Sequence, residues 1–509
     1  MLRFLTLFYF LNLSAGSSIL VVFPVPEKSH SVLGDSLVRT LLSVGHEVTY
    51  VTPFSKEKVH NLEYVHISSI LESTDRMTPS DIEKDLVMEI LGVKIARQAL
   101  RHPDMQALMI NDTVRFDLII AEWFYSGLLA PLSSVFECPL IWYTHTDISW
   151  KSLALVHGTV SAPAADISIK DRLYEMISQL HLAYRNYYHF STTEMSAYEY
   201  CYRVPFESKR MFLPNYEFLV YNASVLLINS HALFGEKWSL PPNAKYIGGH
   251  HLSDRIPQLP KNLKKLMDDS IEGVIYVELE TYLIKHDVHQ NLIQELTEAF
   301  AGTKLSVILK YDEILLNLPK NVHIMRNPPV QSILSHPNTL LFVCHGDMVH
   351  IIAAVHHGVP LMGIPVLPDQ ASNINSIVRQ GFAIRVDVNE VSWKVEKGIK
   401  NIISNTSYKE NIESAKALLR YRLTSPKEDF LHWLQVFTLS GAVHLRPSER
   451  ASVVERYNLD ILLLILLFLW FCSKLIKLCN AHLYSDEDLE KKEAYEGKLY
   501  KEICMSKRN

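Results

Sequence analysis

Residues 342–369 read FVCHGDMVHIIAAVHHGVPLMGIPVLPD. The apolar run Thr339–Cys344 stops at His345-Gly346, which predicts a buried strand ending in a turn. Met348 to about His356 then predicts a helix, Val359–Pro365 a second strand, and Asp369-Gln370 opens a further helix. Strand and helix alternating in this way imply a parallel sheet covered by helices. Upstream the same pattern supplies strands at Gly273–Leu279, Leu305–Lys310 and Asn321–Met325, a helix near Val288–Phe300 and a short one at Ser332–His336.

Leu252–Lys261 (LSDRIPQLPK) breaks the alternation with two prolines and no apolar period, and marks an interdomain linker. Before it lies a second alternating half. Ile19–Pro24 predicts a strand, and Leu33, Leu37, Leu41 and Val44 form one helical face that Gly45 stops. Glu47–Val51 is the next strand, and Asp117–Ala121, Pro139–Thr144 and Val225–Asn229 predict three more. The expected organisation is an α/β protein with two Rossmann-like, doubly wound domains at 19–251 and 271–445, joined across 252–270 and facing one cleft. Ligands of such sheets bind outside the carboxyl ends of the strands. His30, Glu122, His345 and Asp369 all fall at such ends.

A chain of 509 residues has room for roughly three units. Its 55 acidic and 50 basic residues leave a net charge of −5, which argues against a nucleic-acid footprint, and six cysteines are too few for a disulfide scaffold. The ends are uneven. Residues 1–18 carry Arg3, an apolar run from Phe4 to Leu13 and small residues at Ser14–Ser17, the pattern of a secretory signal peptide. Ile461–Cys472 is unbroken apolar sequence, and 457–477 as a helix reaches about 31 Å, enough for a bilayer core. The expectation is a single-pass type I protein with a luminal body and a cytosolic tail over 478–509. Sequons at Asn111, Asn222 and Asn405 are compatible with a luminal body.

With these residues placed, the chain resembles the UDP-glycosyltransferase family, the UDP-glucuronosyltransferase-like proteins of the endoplasmic reticulum membrane. The resemblance rests on Phe342–Asp369 without a gap, followed by Gln370 and Asn373, and on Phe23-Pro24 with Ser29-His30, Gly248-Gly249, Gly273–Tyr276, Ile333–Pro337 and the anchor. It implies a GT-B fold, with an N-terminal acceptor domain and a C-terminal UDP-sugar domain. It also implies metal-independent, inverting transfer of a hexosyl group, glucose or glucuronic acid, to a small lipophilic acceptor, with the UDP-sugar as co-substrate and no cofactor. His30 matches the family's base, and Glu122 its carboxylate partner, one methylene longer than the aspartate of many members. His345-Gly346 match the phosphate contact, and Asp369, Gln370 and Asn373 the sugar-hydroxyl contacts. Asp369 also fits a helix N-cap. The resemblance further allows homo- or hetero-oligomers with family members, and endoplasmic reticulum residence is implied by it alone.

The donor motif departs from the family. Asn327 and Val330 replace the tryptophan and glutamine that contact uracil, Asp347 a glycine, His350 the phosphate-contacting serine or threonine, and Ala353 the ribose-binding glutamate. Glu280-Thr281 stand for Gly-Ser. Two carboxylates turned toward a diphosphate would repel it by about 4 kcal/mol each at ~4 Å and an effective dielectric near 20. Two functions therefore stay open: a working transferase, or a member with a degenerate donor site that binds lipophilic ligands or partners active relatives. The histidines at His345, His350, His356 and His357 lack metal-ligand spacing, and no metal is expected.

Overall fold

The computed structural model describes residues 16–54, 57–71, 87–157, 191–221, 223–234, 240–253, 255–279, 286–313, 315, 317–440 and 459–506, with single positions at 177 and 184. Most of the expected signal peptide, Asn222, and Glu280-Thr281 lie outside them. Ser17 and Ser18, assigned to that signal, are built into the fold. The Ser18 amide donates to Asp117 Oδ2 at 2.8 Å, and Ser18 opens the first strand opposite Glu47.

Seven parallel strands form the N-terminal sheet: β1 (Ser18–Val22), β2 (Glu47–Thr52), β3 (Leu62–His66), β4 (Leu118–Trp123), β5 (Leu140–Thr144), β6 (Val225–Ile228) and β7 (Ala244–Tyr246), in spatial order β3-β2-β1-β4-β5-β6-β7. Its central strands are buried on both faces, which is why they read as continuous runs such as ILVV and LIWYT rather than as alternations. Six more strands form the second sheet: β8 (Val274–Glu278), β9 (Ser306–Lys310), β10 (Val322–Met325), β11 (Thr339–Cys344), β12 (Leu361–Gly363) and β13 (Ala383–Arg385), in order β10-β9-β8-β11-β12-β13. Both orders reverse beside the first strand, between β1 and β4 and between β8 and β11. This is the doubly wound arrangement that opens a crevice at the carboxyl ends.

Three strands escape the sequence pattern. Strands β3, β7 and β13 are edge or near-edge strands of five, three and three residues, half-buried, and too short for an apolar period to register. The linker is shorter than 252–270. Lys261–Asp269 is a helix whose Leu263 and Met267 enter the C-terminal core. The helix Pro426–Ser440 crosses back, burying Phe430, Leu434 and Phe437 against the N-terminal core beside Leu33, Leu37 and Leu41.

Residues 459–506 belong to a separate unit. Its helix Leu459–Ser506 contains an 18-residue stretch, Leu462–Cys479, of mean hydropathy 2.2 with none of it buried. By length and composition this is the one helix among the described residues suited to cross a membrane, and it fits an anchor.

The turn after β11 is built for glycine. Gly346 has φ +105, and a Cβ there would strike Ile374 Cγ1 and lie 3.0 Å from the Gln370 carbonyl oxygen. Gly346→Ala should therefore cost about 1–3 kcal/mol, seen as a lowered Tm. An unchanged Tm would show that the turn relaxes freely.

Candidate active site

In the N-terminal crevice, β1 runs into the helix Lys28–Ser43, which places His30 in its first turn. Glu122 is the fifth residue of β4, a strand buried at every position. Because β1 and β4 are neighbours, the two side chains meet. His30 Nδ1 lies 2.5 Å from Glu122 Oε1, with the carboxylate fully buried. Burial alone would lower the His30 pKa, but the charge and hydrogen bond of Glu122, with smaller contributions from Asp347 and Glu27, outweigh it and raise the pKa. With Nδ1–H donated to Glu122, Nε2 carries the lone pair.

A third group joins them that the sequence pattern did not single out. His145 follows β5, and its ring centroid is 4.3 Å from that of His30. Its Nε2 lies 3.4 Å from Asp369 Oδ2, at the start of the helix Pro368–Arg379 in the other half. The neighbouring Thr146 hydroxyl donates to Asn373 Oδ1 at 3.1 Å, and Asn373 Nδ2 donates to the Gly346 carbonyl at 3.1 Å. Asp369 is thus not the N-cap. Leu367 holds that position, and the Asp369 carboxylate turns to His145 instead. Glu122 Oε2, His145 Nδ1 and Asp369 Oδ1 are buried without a hydrogen-bond partner. His145 stood at a strand end, so the carboxyl-end rule that selected His30 and Glu122 would also have selected it.

His30, Glu122 and His145 bring one ligand atom each within 4.8 Å of one another, the described residues best grouped to hold a metal ion. The geometry favours a proton-sharing pair. Ligands at 2.0–2.1 Å from a tetrahedral ion stand about 3.3 Å apart, well beyond the 2.5 Å between His30 and Glu122.

The C-terminal crevice is filled differently. His345 is buried, and its two ring nitrogens lie 2.7 Å from the carbonyl oxygens of Ile364 and Leu279. Burial lowers its pKa against the pull of those carbonyls. Its imidazole therefore sits between the ends of β8 and β12, with both ring nitrogens turned to main-chain carbonyls and away from the crevice. Gln370 is consumed too: its carbonyl accepts from the amides of Val366 and Leu367 at 3.0 Å, and its Nε2 donates to Asp347 Oδ1 at 3.0 Å. Val330 packs against the core and Ala353 is buried in it, so neither offers a polar contact, while the Asn327 amide is exposed.

Asp347 does not present bare charge to the crevice, contrary to the sequence expectation. Its Oδ2 lies 3.5 Å from His350 Nδ1, while His350 Nε2 lies 3.6 Å from Glu278 Oε2. Glu278, the last residue of β8, also accepts from Tyr276 Oη at 2.9 Å and pairs with Lys310 Nζ, the last residue of β9. Against the cost of burial, Glu278 and Asp347 push the His350 pKa up to about 9, and in return His350 holds both carboxyls well below their usual range. Glu278 and Lys310 lie 32 positions apart in the sequence and become partners only through the pairing of β8 with β9.

The likeness of the chain to known proteins agrees with this architecture. Residues 46–486 match the family described as UDP-glucoronosyl and UDP-glucosyl transferase. The chain belongs to the UDP-glycosyltransferase family. It is 27% identical over 508 residues to UDP-glucosyltransferase 2 of Dactylopius coccus, covering 94% of this chain and 96% of that one. It is 28% identical over 285 residues to UDP-glucuronosyltransferase 3A1 of Bos taurus, about half of each chain (54% and 54%). Among solved structures, glycosyltransferase VinC in complex with DTDP aligns with TM-score 0.55 at 15% identity, over 82% of this chain and 99% of that one. A UDP-glucosyltransferase from Polygonum tinctorium aligns with TM-score 0.54 at 14% identity, over 84% and 99%. The fold is GT-B, two Rossmann-type sheets with a C-terminal apolar helix. In this UDP-glycosyltransferase the His30–Glu122 pair leaves one carboxylate oxygen without a partner, whereas in the C-terminal crevice both oxygens of Glu278 and of Asp347 face a cation or a donor.

The ion cluster gives a stability signature. The folded pKa of His350 lies above its unfolded value of about 6.5, so its contribution is complete below pH 6.5 and is lost as pH rises through about 9. This is worth about 3 kcal/mol. The Tm of the wild type should fall more steeply than that of His350→Gln between pH 6.5 and 9.5, and parallel curves would remove the assignment.

Proposed function

We propose that this UDP-glycosyltransferase moves a hexosyl group, glucose or glucuronic acid, from a UDP-sugar to a hydroxyl of a small lipophilic acceptor. The observation that carries the reading is the buried His30–Glu122 pair with partnerless polar atoms around it. In this reading His30 Nε2 takes the acceptor proton as the acceptor oxygen bonds to the anomeric carbon. The bond from that carbon to the UDP oxygen breaks from the opposite face, which inverts the centre, and UDP leaves. Glu122 orients the imidazole and stabilises its charged form. The partnerless oxygens of Glu122 and Asp369 suit ligand hydroxyls as donors. The UDP-sugar is a co-substrate, and no metal or separate cofactor takes part. The relatives named above support sugar transfer without fixing the acceptor.

His30→Gln should lower kcat about 10²–10⁴-fold with the protein still folded. Because Glu122 raises the His30 pKa, Glu122→Gln should lower kcat and move the rising limb of the pH–rate profile to lower pH. A profile unmoved by Glu122→Gln, or turnover unaffected by His30→Gln, would sink the base role.

A second reading is favoured by the closed ion cluster. In it the chain has lost transfer and binds lipophilic ligands, or assembles with active relatives as a homo- or hetero-oligomer. Product formation from radiolabelled UDP-glucose or UDP-glucuronic acid across a panel of phenols and sterols separates the two. Glycoside formed supports transfer, and acceptor binding without product supports the second.

For location we propose the endoplasmic reticulum membrane, with a cleaved signal peptide, a luminal glycosylated body and a cytosolic tail. Asn111 and Asn405 are exposed, as glycan acceptors must be. Protease added to sealed microsomes should remove only the tail after residue 477, and a glycosidase shift should vanish when the sequons are removed. Digestion of the body would reverse the topology.

A further inference from the structure

The crevice between β8 and β11 has the features of an anion site and yet is electrically closed. It lies where the sheet order reverses, at the N-terminus of the helix Met348–His357, a place where doubly wound sheets receive anionic groups. Two cationic side chains, Lys310 and His350, converge there, each only 12% exposed. Two carboxylates meet them, Glu278 at 7% and Asp347 at 20% exposure. Each carboxylate has both oxygens engaged: Glu278 by Lys310 on one and by His350 and Tyr276 on the other, Asp347 by Gln370 and His350. Asp347 stands at the N-cap but makes no capping bond, so its side chain serves the cation rather than the helix.

Stability alone does not account for this group. Buried ion pairs contribute little beyond what apolar side chains of the same volume supply. Nor is the cluster ideally satisfied: His350 Nδ1 is buried without a hydrogen bond of good geometry, although Asp347 is its ionic neighbour.

We infer that the crevice is an anion seat filled by the chain itself, with Glu278 and Asp347 resting on Lys310 and His350 in the place of a donor's diphosphate. The inference rests on the UDP-sugar reading above and adds a regulation of that site: a donor binds only by displacing the internal carboxylates. Neutralising one of them removes an internal anion that competes with the ligand. Glu278→Gln and Asp347→Asn keep the shape of the side chain while removing one negative charge and one accepting oxygen each.

UDP is titrated calorimetrically into the full-length wild type, both single variants, and each variant combined with His350→Gln. Each single variant should bind UDP at least about ten-fold more tightly than the wild type, and the added His350→Gln should erase the gain. Inorganic pyrophosphate should raise the Tm of the single variants more than that of the wild type. This readout covers a variant too unstable for calorimetry, because a ligand that binds only the folded form stabilises it. Equal or weaker UDP binding by both variants, with no extra pyrophosphate stabilisation, overturns the inference. Turnover then decides the other reading independently. A wild type that transfers sugar while the variants bind UDP no better keeps the transferase and loses the self-filled seat. Variants that bind UDP tightly but transfer nothing keep the seat and lose the transferase.

Discussion

Everything functional in this chain hangs on a reversal of strand order that occurs twice. In each half the first strand, β1 or β8, has the second strand on one side and a later strand, β4 or β11, on the other. Connections leave these neighbours toward opposite faces, so no crossover covers the gap at their carboxyl ends. That gap is the only part of a sheet buried on both faces where side chains reach a shared space. His30 and Glu122 meet at the first reversal, and Glu278, Asp347 and His350 at the second. The right-handed geometry of parallel βαβ units dictates both crevices, and the residues at the strand ends decide what each one does.

The two crevices share a scaffold and differ in charge balance. The first holds one imidazole against one carboxylate and leaves Glu122 Oε2 and His145 Nδ1 without partners. A buried polar atom left unpaired costs about 1–3 kcal/mol, so this crevice gains by accepting a ligand that bonds to it. The second holds two cations against two anions, each anion fully engaged. A charged ligand entering there must break contacts of comparable strength before it makes its own. Asymmetry of this kind follows from side chains at a handful of positions and leaves the backbone of the crevice unaltered.

How much of this was legible in the sequence depended on how strongly each residue marked its own element. Long buried strands such as β1, β4 and β11 announce themselves as continuous apolar runs, and with them came His30, Glu122 and His345 at their ends. The edge strands β7 and β13, three residues each, carry no period. Charge was harder to read. Asp347 viewed alone is a negative group beside a phosphate site, and only the structure brings His350 within 3.5 Å of it. Lys310 and Glu278 are 32 positions apart in the chain and become partners through the pairing of β8 with β9. His345 shows the converse. Its place in the motif suggested a ligand contact, whereas its ring is spent on two main-chain carbonyls.

The two halves are joined chemically as well as by packing, through His145. Its ring lies against His30 on one side, and its Nε2 faces Asp369 of the other half at 3.4 Å. Thr146 and Asn373 make a parallel bridge one residue on. A sugar between the crevices would contact Asp369 and so compete directly with His145, whose release would alter the surroundings of the His30 ring. His30 of one half and Asp369 of the other are therefore separated by a single imidazole.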